Sequence, residues 1–401
     1  MTAPVLPRAE PEAVGLSSAR LRRIGEALRR EIEARRLPGA VVAIARSGKL
    51  AHLEAVGWRD PAAKAPLQTD AIFSIASMTK AMTSAAVLLL VEEGRVLLGD
   101  PVSAYLPPLA ELKVAEPGGG LRAPRRPPTI QDLLRHTSGL TYRDRGTTPA
   151  HAAYPGSSIW AAECMSKEET IAALAKAPLL FDPGTDWEYG FSTDVLGFVV
   201  ETVAGKSLGA FLAERLWGPL GMVDTSFTLA ADKRSRYALA LPVDPVTGGA
   251  NPAIHHATDK RQLWDSGGGG AVSTAADYLR FIEMVRSGGR LGGVDVMGRG
   301  TVRLMTADHL PASFIDKIAD KMDPAAAGYG FGLGFAVRRQ DGIAAMAGSA
   351  GDYYWSGVYG TYYWVDPRQE LAVVFLAMAP GQIRLRYRQM MRNLVYQALA
   401  D

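Results

Sequence analysis

The chain has 401 residues, of which 48% are hydrophobic and 21% charged, the balance of an ordinary globular protein with a sizeable core. Its formal net charge is only +3, and the basic clusters are short (Arg20 to Arg23, Arg122 to Arg126), which excludes a nucleic-acid footprint. A single cysteine, Cys164, excludes an intrachain disulfide, and Met1 to Glu12 carries acids and prolines where a signal peptide has an apolar core; a cytoplasmic location is expected. The longest strongly apolar run, Ala85 to Val91, falls well short of the ~20 residues that cross a bilayer, so no span is expected.

Leu21, Ile24, Leu28 and Ile32 recur at helical spacing after the candidate caps Ser17 and Ser18, and Pro38-Gly39 follows, so the spacing predicts a helix over 19–36. Ala40 to Ala45 and Leu50 to Trp58, joined by Ser47-Gly48-Lys49, read as a β-hairpin. The middle of the chain is richer in helical patterns, such as Val195, Leu196, Val199, Val200 and Val203, broken by Pro/Gly-rich loops at 117–128 and 182–184. Strand-like stretches return at Gly332 to Val337, Tyr359 to Val365 and Leu371 to Met378, before a helix-compatible tail from Ile383 to Ala400. The reading is an α/β (α+β) chain whose two ends build one antiparallel sheet. Residues 1–80 and 271–401 form that lobe, 81–270 a mainly helical one, and a cleft runs between them.

Three short motifs carry chemistry. Ser77-Met78-Thr79-Lys80 is the only Ser-x-x-Lys in the chain and precedes the apolar helical run Ala81 to Val91, which Gly94 can end. Residues three apart share a helix face, so the lysine ammonium reaches the serine hydroxyl, and the helix start supplies N–H groups and positive potential. A serine hydroxyl needs such a neighbour to act as a nucleophile near neutrality. Trp187-Glu188-Tyr189-Gly190 places Tyr189 on a loop entering a helix, where a phenol needs nearby positive charge to act as a base. Trp355-Ser356-Gly357-Val358 reads as a strand with close-approach positions, able to aim a backbone N–H at an oxyanion.

Ser77-Met78-Thr79-Lys80, Tyr189 and Trp355-Ser356-Gly357, in that order, resemble the three motifs of family VIII carboxylesterases, within the serine β-lactamase and penicillin-binding-protein superfamily. Leu133 to Leu140 (LLRHTSGL), Pro183-Gly184, Asp194 to Gly197 and the run Gly267 to Gly270 extend the resemblance from about Leu37 onward. It implies a β-lactamase/transpeptidase-like fold with Ser77 as nucleophile, Lys80 and Tyr189 as the proton-transfer pair, and the N–H groups of Ser77 and Val358 as the oxyanion hole. Trp355, Ser356, Gly357 and Tyr142 would contact substrate. Two positions depart from the class C pattern: Trp355 stands where a lysine would bind the substrate carboxylate, and Gly190-Phe191 follows Tyr189 where an amide side chain is usual.

The histidines are scattered, with only His255 and His256 adjacent, and neither a His-Glu-x-x-His nor a cysteine pair offers a metal site. His136 reads as a loop-fixing residue. No complete Gly-x-Ser-x-Gly elbow occurs, and Gly267 to Gly270 lacks the Lys-Ser/Thr of a phosphate loop. The expectation is a cofactor-free serine carboxylesterase acting on small, uncharged, short- to medium-chain esters, because a cleft without a fixed cation disfavours a carboxylate. The alternatives are a β-lactamase, a D-amino-acid peptidase, an acyltransferase of the same fold, or a non-catalytic ligand-binding relative. Oligomeric state is left open.

Overall fold

The computed structural model describes residues 6–257, 260–314 and 316–400, so the first five residues of the Met1 to Glu12 stretch lie outside the described residues. Helix α1 (Ser18–Glu33) starts where expected, with Ser17 Oγ accepting the Arg20 N–H. It stops at Glu33 and not at 36, because Arg35 turns into a left-handed conformation (φ 55°) ahead of Pro38.

Strands β1 (Gly39–Arg46) and β2 (Lys49–Asp60) form the expected hairpin. Ser47 and Gly48 both have positive φ, 51° and 75°, as a tight two-residue hairpin turn requires. With β3 (Ala65–Pro66), β4 (Tyr329–Phe331), β5 (Ala336–Arg338), β6 (Tyr353–Ser356), β7 (Tyr362–Asp366) and β8 (Leu371–Ala377) they build an eight-stranded antiparallel sheet in the order β4-β5-β6-β7-β8-β1-β2-β3. Both chain ends thus share one sheet, joined where Ala40 pairs with Ala377.

Two strand expectations need correction. The stretch 332–337 is a turn followed by β5, with Gly332 donating to Phe335 O and Gly334 at φ 110°. The stretch 359–365 becomes strand only at Tyr362, because Gly357 to Thr361 forms a tight turn closed by Gly357 N–H on Thr361 O.

Every residue of β1 and β8 is buried, so the sheet centre is covered on both faces. Helix α1 packs with the C-terminal helix α5 (Ile383–Tyr396) and on β2, while α4 (Ala275–Arg286) packs on β8 and β1. Helix α2 (Thr79–Glu92) is mostly apolar and buried on every side from Thr79 to Leu90, its polar residues Lys80, Thr83 and Ser84 included, and it packs on α3 (Ser192–Ala204). Gly94, at φ 66°, follows its last turn as expected.

At one end of the sheet a charged group is fully enclosed. Asp352 takes Arg338 Nε and Arg392 Nη1, each at 2.9 Å on Oδ2, and the Tyr329 hydroxyl at 2.7 Å on Oδ1. Arg392, from α5, also donates Nε to the Tyr362 hydroxyl at 2.9 Å and Nη2 to Asp352 Oδ1. No single described helix is long and apolar enough to cross a membrane.

Candidate active site

Ser77 is carried on a short 3-10 turn, Ala76–Met78, that feeds straight into α2. Two contacts fix this turn from behind: Ser74 and Phe73 pair with Val272 and Ser273, and the Tyr278 hydroxyl donates to Met78 O at 2.8 Å. Ala76 adopts positive φ, 46°, a strained conformation for a residue with a Cβ, immediately before the candidate nucleophile.

Lys80 is only 2% exposed, and its ammonium lies 3.4 Å from Ser77 Oγ and 3.3 Å from the Tyr142 hydroxyl. It also donates to Gly268 O and lies over the Tyr189 ring, 4.5 Å from the centroid. The cation therefore touches the ring face of Tyr189, while the Tyr189 hydroxyl accepts the Trp355 indole N–H at 3.3 Å. Ser77, Lys80, Tyr189 and Trp355 form one contact chain.

No side-chain amide follows Tyr189, and the polar neighbours of Lys80 are Ser77, Tyr142 and the Gly268 carbonyl. A Cβ on Gly190 would lie 2.4 Å from Thr141 Cα, so only glycine fits there. Tyr142 passes the contact on: its hydroxyl meets Ser158 Oγ at 3.0 Å, and Ser158 donates to Asp194 Oδ2. Asp194 Oδ1 accepts Ser266 Oγ at 2.7 Å and Gly268 N–H at 2.8 Å. The Gly268 peptide thus bonds Asp194 with its N–H and Lys80 with its carbonyl, and a Cβ on Gly268 would strike Asp194 and Ser158 at 2.3 Å.

The electrostatics follow from this burial. Burial, with Asp194 next, holds the Tyr142 phenol well above its usual range, so it stays protonated and relays hydrogen bonds without ionising. Burial also raises Asp194, against the pull of Lys80 and of the donors from Ser158, Ser266 and Gly268. His136 packs 4.8 Å from the Tyr189 ring and edge-on to Trp187 and Phe331. Burial, then Lys80 and Arg145, holds its imidazole well below the usual range, which leaves a neutral ring that packs. Its segment is tied down by Asp132, which caps at Thr129 and bonds Arg126, Arg135 and Thr137. Burial opposes the Asp132 charge, yet those donors bring its carboxyl down to about 2.

The third motif closes the far wall. Gly357 is pressed on the nucleophile turn: a Cβ there would lie 2.5 Å from Ile75 O and 2.2 Å from Thr361 Oγ1, which itself donates to Ile75 O at 3.1 Å. The close approach expected of this segment therefore exists, and Val358, the next residue, lines the same cleft as Ser77. Neither the Ser77 nor the Val358 backbone N–H has a hydrogen-bond acceptor among the described residues.

A cleft of about 420 Å³ collects these groups. Ser77, Tyr142, Tyr189, Trp355, Ser356 and Val358 line it, while Lys80 and Gly357 lie just behind. A larger surface hollow of about 840 Å³, bordered by Glu92, Arg286 and Arg299, contains none of the motif residues.

One expectation fails here. The cleft does contain fixed positive charge, because Arg145, Arg384 and Arg388 line it. Trp355 does replace a cation on its own strand, but α5 brings two others to the cleft from the C-terminal end of the chain. Nothing in the sequence singled out Ser158 or tied Asp194 to this site. Among the described residues no cluster of three or more His, Cys, Asp or Glu side chains is placed to hold a metal ion.

A sheet made from both chain ends, with a serine at the mouth of a buried helix and a lysine behind it, is the arrangement of serine hydrolases with the β-lactamase fold. The sequence matches the Beta-lactamase family over residues 24–392, and the chain belongs to that family. Protein Rv1367c from Mycobacterium tuberculosis is 34% identical over 367 residues, spanning 87% of this chain and 88% of the relative. Esterase EstB from Burkholderia gladioli is 31% identical over 383 residues, 92% of this chain and 93% of its own. Among solved structures, EstCE1, described as a hydrolase with promiscuous acyltransferase activity, superposes with a TM-score of 0.78 at 27% identity, covering 94% of this chain and 98% of that one. The resemblance read from the three motifs holds across nearly the whole chain.

Proposed function

We propose that the protein is a serine carboxylesterase working through an acyl-enzyme on Ser77. The observation that carries this reading is the Lys80 ammonium, 3.4 Å from Ser77 Oγ and 4.5 Å over the Tyr189 ring, just behind the cleft that Ser77 and Tyr189 line. Ser77 Oγ bonds to the ester carbonyl carbon as its proton passes to the deprotonated member of the pair, a Lys80 free amine or a Tyr189 phenolate stabilised by the Lys80 ammonium, and the oxyanion is held by the N–H groups of Ser77 and Val358. The C–O bond to the alcohol then breaks, the alcohol leaves with that proton, and a water adds to the acyl-enzyme. The acid departs and Ser77 regains a proton. Every group in this cycle belongs to the chain or the substrate.

Trp355, Tyr359, Ile159 and Met322 all line the cleft and offer apolar surface for a short- to medium-chain acyl group. The restriction to uncharged esters rested on a cleft without a cation, and it is dropped with that premise. The likeness to Esterase EstB supports ester hydrolysis, and the promiscuous acyltransferase activity of EstCE1 favours a second reading in which an alcohol takes the acyl group in place of water. Lining residues come from both proposed lobes, Ser77, Trp355 and Arg384 from 1–80 and 271–401, Tyr142, Ser158 and Tyr189 from 81–270, which supports a cleft at their seam. The single cysteine supports a reducing, cytoplasmic setting.

The test is covalent. A phosphonate p-nitrophenyl ester should add once, on the peptide containing Ser77, and Ser77→Ala should abolish turnover of p-nitrophenyl butyrate. Labelling at Ser158 or Ser192, or activity surviving in Ser77→Ala, would refute the assignment.

A further inference from the structure

We propose that Arg384, supported by Arg388, forms a carboxylate-binding subsite in the Ser77 cleft, so that the substrate is an ester carrying an acid group some bonds away from the scissile carbonyl. Hemiesters of dicarboxylic acids and acyl esters of hydroxy acids belong to this class. The proposal rests on the esterase reading and narrows it.

The two arginines lie four apart on α5 and therefore share one helix face, and both line the cleft. Arg388 is 7% exposed and pairs with Asp323 through one nitrogen, Nη1, at 3.3 Å. Arg384 donates Nη1 to Gly381 O and has no carboxylate partner among the described residues. The Nε of each is buried without an acceptor. Buried donors left unpaired are rare in folded proteins and unfavourable, so a pair of them side by side in a cleft wants an explanation in terms of an acceptor that arrives.

The charge balance points the same way. Two guanidinium groups face one carboxylate, Asp323, and those are the charges that act on Arg384. Burial, then Arg388, pulls Arg384 down to about 10, still a full cation at neutral pH. An incoming anion would relieve this repulsion and satisfy the open donors together. The geometry of a guanidinium, a planar fork, suits a carboxylate in particular. Of the other charges in the cleft, Arg145 bonds Glu188 and Lys321 O and Lys80 serves Ser77, while Asp144 is exposed to solvent at the rim and pairs with neither Arg384 nor Arg388.

The experiment compares kcat/KM for matched esters with and without an acid. Mono-p-nitrophenyl glutarate against p-nitrophenyl pentanoate places the acid on the acyl side; 3-carboxyphenyl butyrate against phenyl butyrate places it on the alcohol side. In the wild type at least one acid-bearing ester should be favoured by about tenfold, as a charge-assisted pair supplies. Arg384→Gln should collapse that ratio about tenfold through KM, and Arg384→Lys should restore part of it. Preference for the neutral ester on both sides, or a ratio unmoved in a folded Arg384→Gln, would overturn the subsite. Inhibition of the wild type needs no variant: glutarate should compete at least about tenfold better than pentanoate or hydroxybenzoate better than phenol, and equal inhibition within both pairs would also overturn it. Failure of the esterase reading looks different, since then neither ester of a pair is turned over by a Ser77-dependent route.

Discussion

Helix α5 carries arginines of two kinds. Arg392 is buried with its guanidinium enclosed by Asp352, Tyr362 and a backbone carbonyl, and Asp352 in turn is shared with Arg338 and Tyr329. One and two turns earlier, Arg388 and Arg384 face the cleft with one carboxylate between them and an unpaired Nε each. Residue type, helix and spacing are the same; what differs is whether the protein itself completes the hydrogen bonding. A closed cluster stabilises the fold it was built into, whereas an open one keeps donors in reserve at a cost in stability. That contrast marks Arg384 as a group held for a ligand.

The strongest way to break the comparison is at the closed cluster. Asp352→Ala would leave Arg338 and Arg392 buried without a counter-charge, and a loss of about 3–5 kcal/mol is expected in urea unfolding. A loss below about 1 kcal/mol would mean that water already shares that site.

Asp132 belongs to a second closed cluster, and its contribution should titrate. Its folded carboxyl is held at about 2, below the ordinary 3.8, so its stabilisation is fully present above that ordinary value and is lost as pH falls toward 2. The difference in unfolding free energy between the wild type and Asp132→Asn should be about 2 kcal/mol at pH 7 and roughly half that at pH 3. A gap that stays constant over this range would show that the charge contributes nothing.

Asp194 is closed by Ser158, Ser266 and Gly268 yet leads to Lys80, so it belongs to both kinds. Asp194→Asn should lower kcat for p-nitrophenyl butyrate about tenfold with a smaller change in KM, since it loosens the lysine and not the substrate bed. A change confined to KM would detach it from Lys80. Smallest of all, Arg384→Met should leave stability within about 1 kcal/mol of the wild type or raise it, because it removes a cation that the fold does not pair. A thermal-unfolding midpoint lowered as far as in Asp352→Ala would place Arg384 among the closed clusters.

What the sequence revealed was what depends on local order. The hairpin around Ser47-Gly48, the cap at Ser17 and the lysine one turn after Ser77 are all set by spacing, and each is present. The close approach at Gly357 was legible because a glycine in an aromatic strand has few other uses. What escaped depends on contacts between distant segments. Tyr142, Asp194 and Gly268 each lie in segments the sequence did point to, but their contacts with one another and with Ser158 form only when four separate segments, two loops and two helix starts, fold together. The tail from Ile383 to Ala400 reads only as helix-compatible, although Arg384, Arg388 and Arg392 recur every fourth residue, a row that a surface helix does not need. That row was the available signal.

The pairing of β1 with β8 has a consequence for how the protein comes into being. Ala40 cannot find Ala377 until almost the whole chain has been made, and at about 5–20 residues per second that delay is tens of seconds. Through that interval the apolar strand Gly39–Arg46 has only β2 beside it, with its other edge open to any passing strand. Synthesis of this protein should therefore depend on chaperones that shield the amino-terminal hairpin, and yield should fall when translation outpaces them.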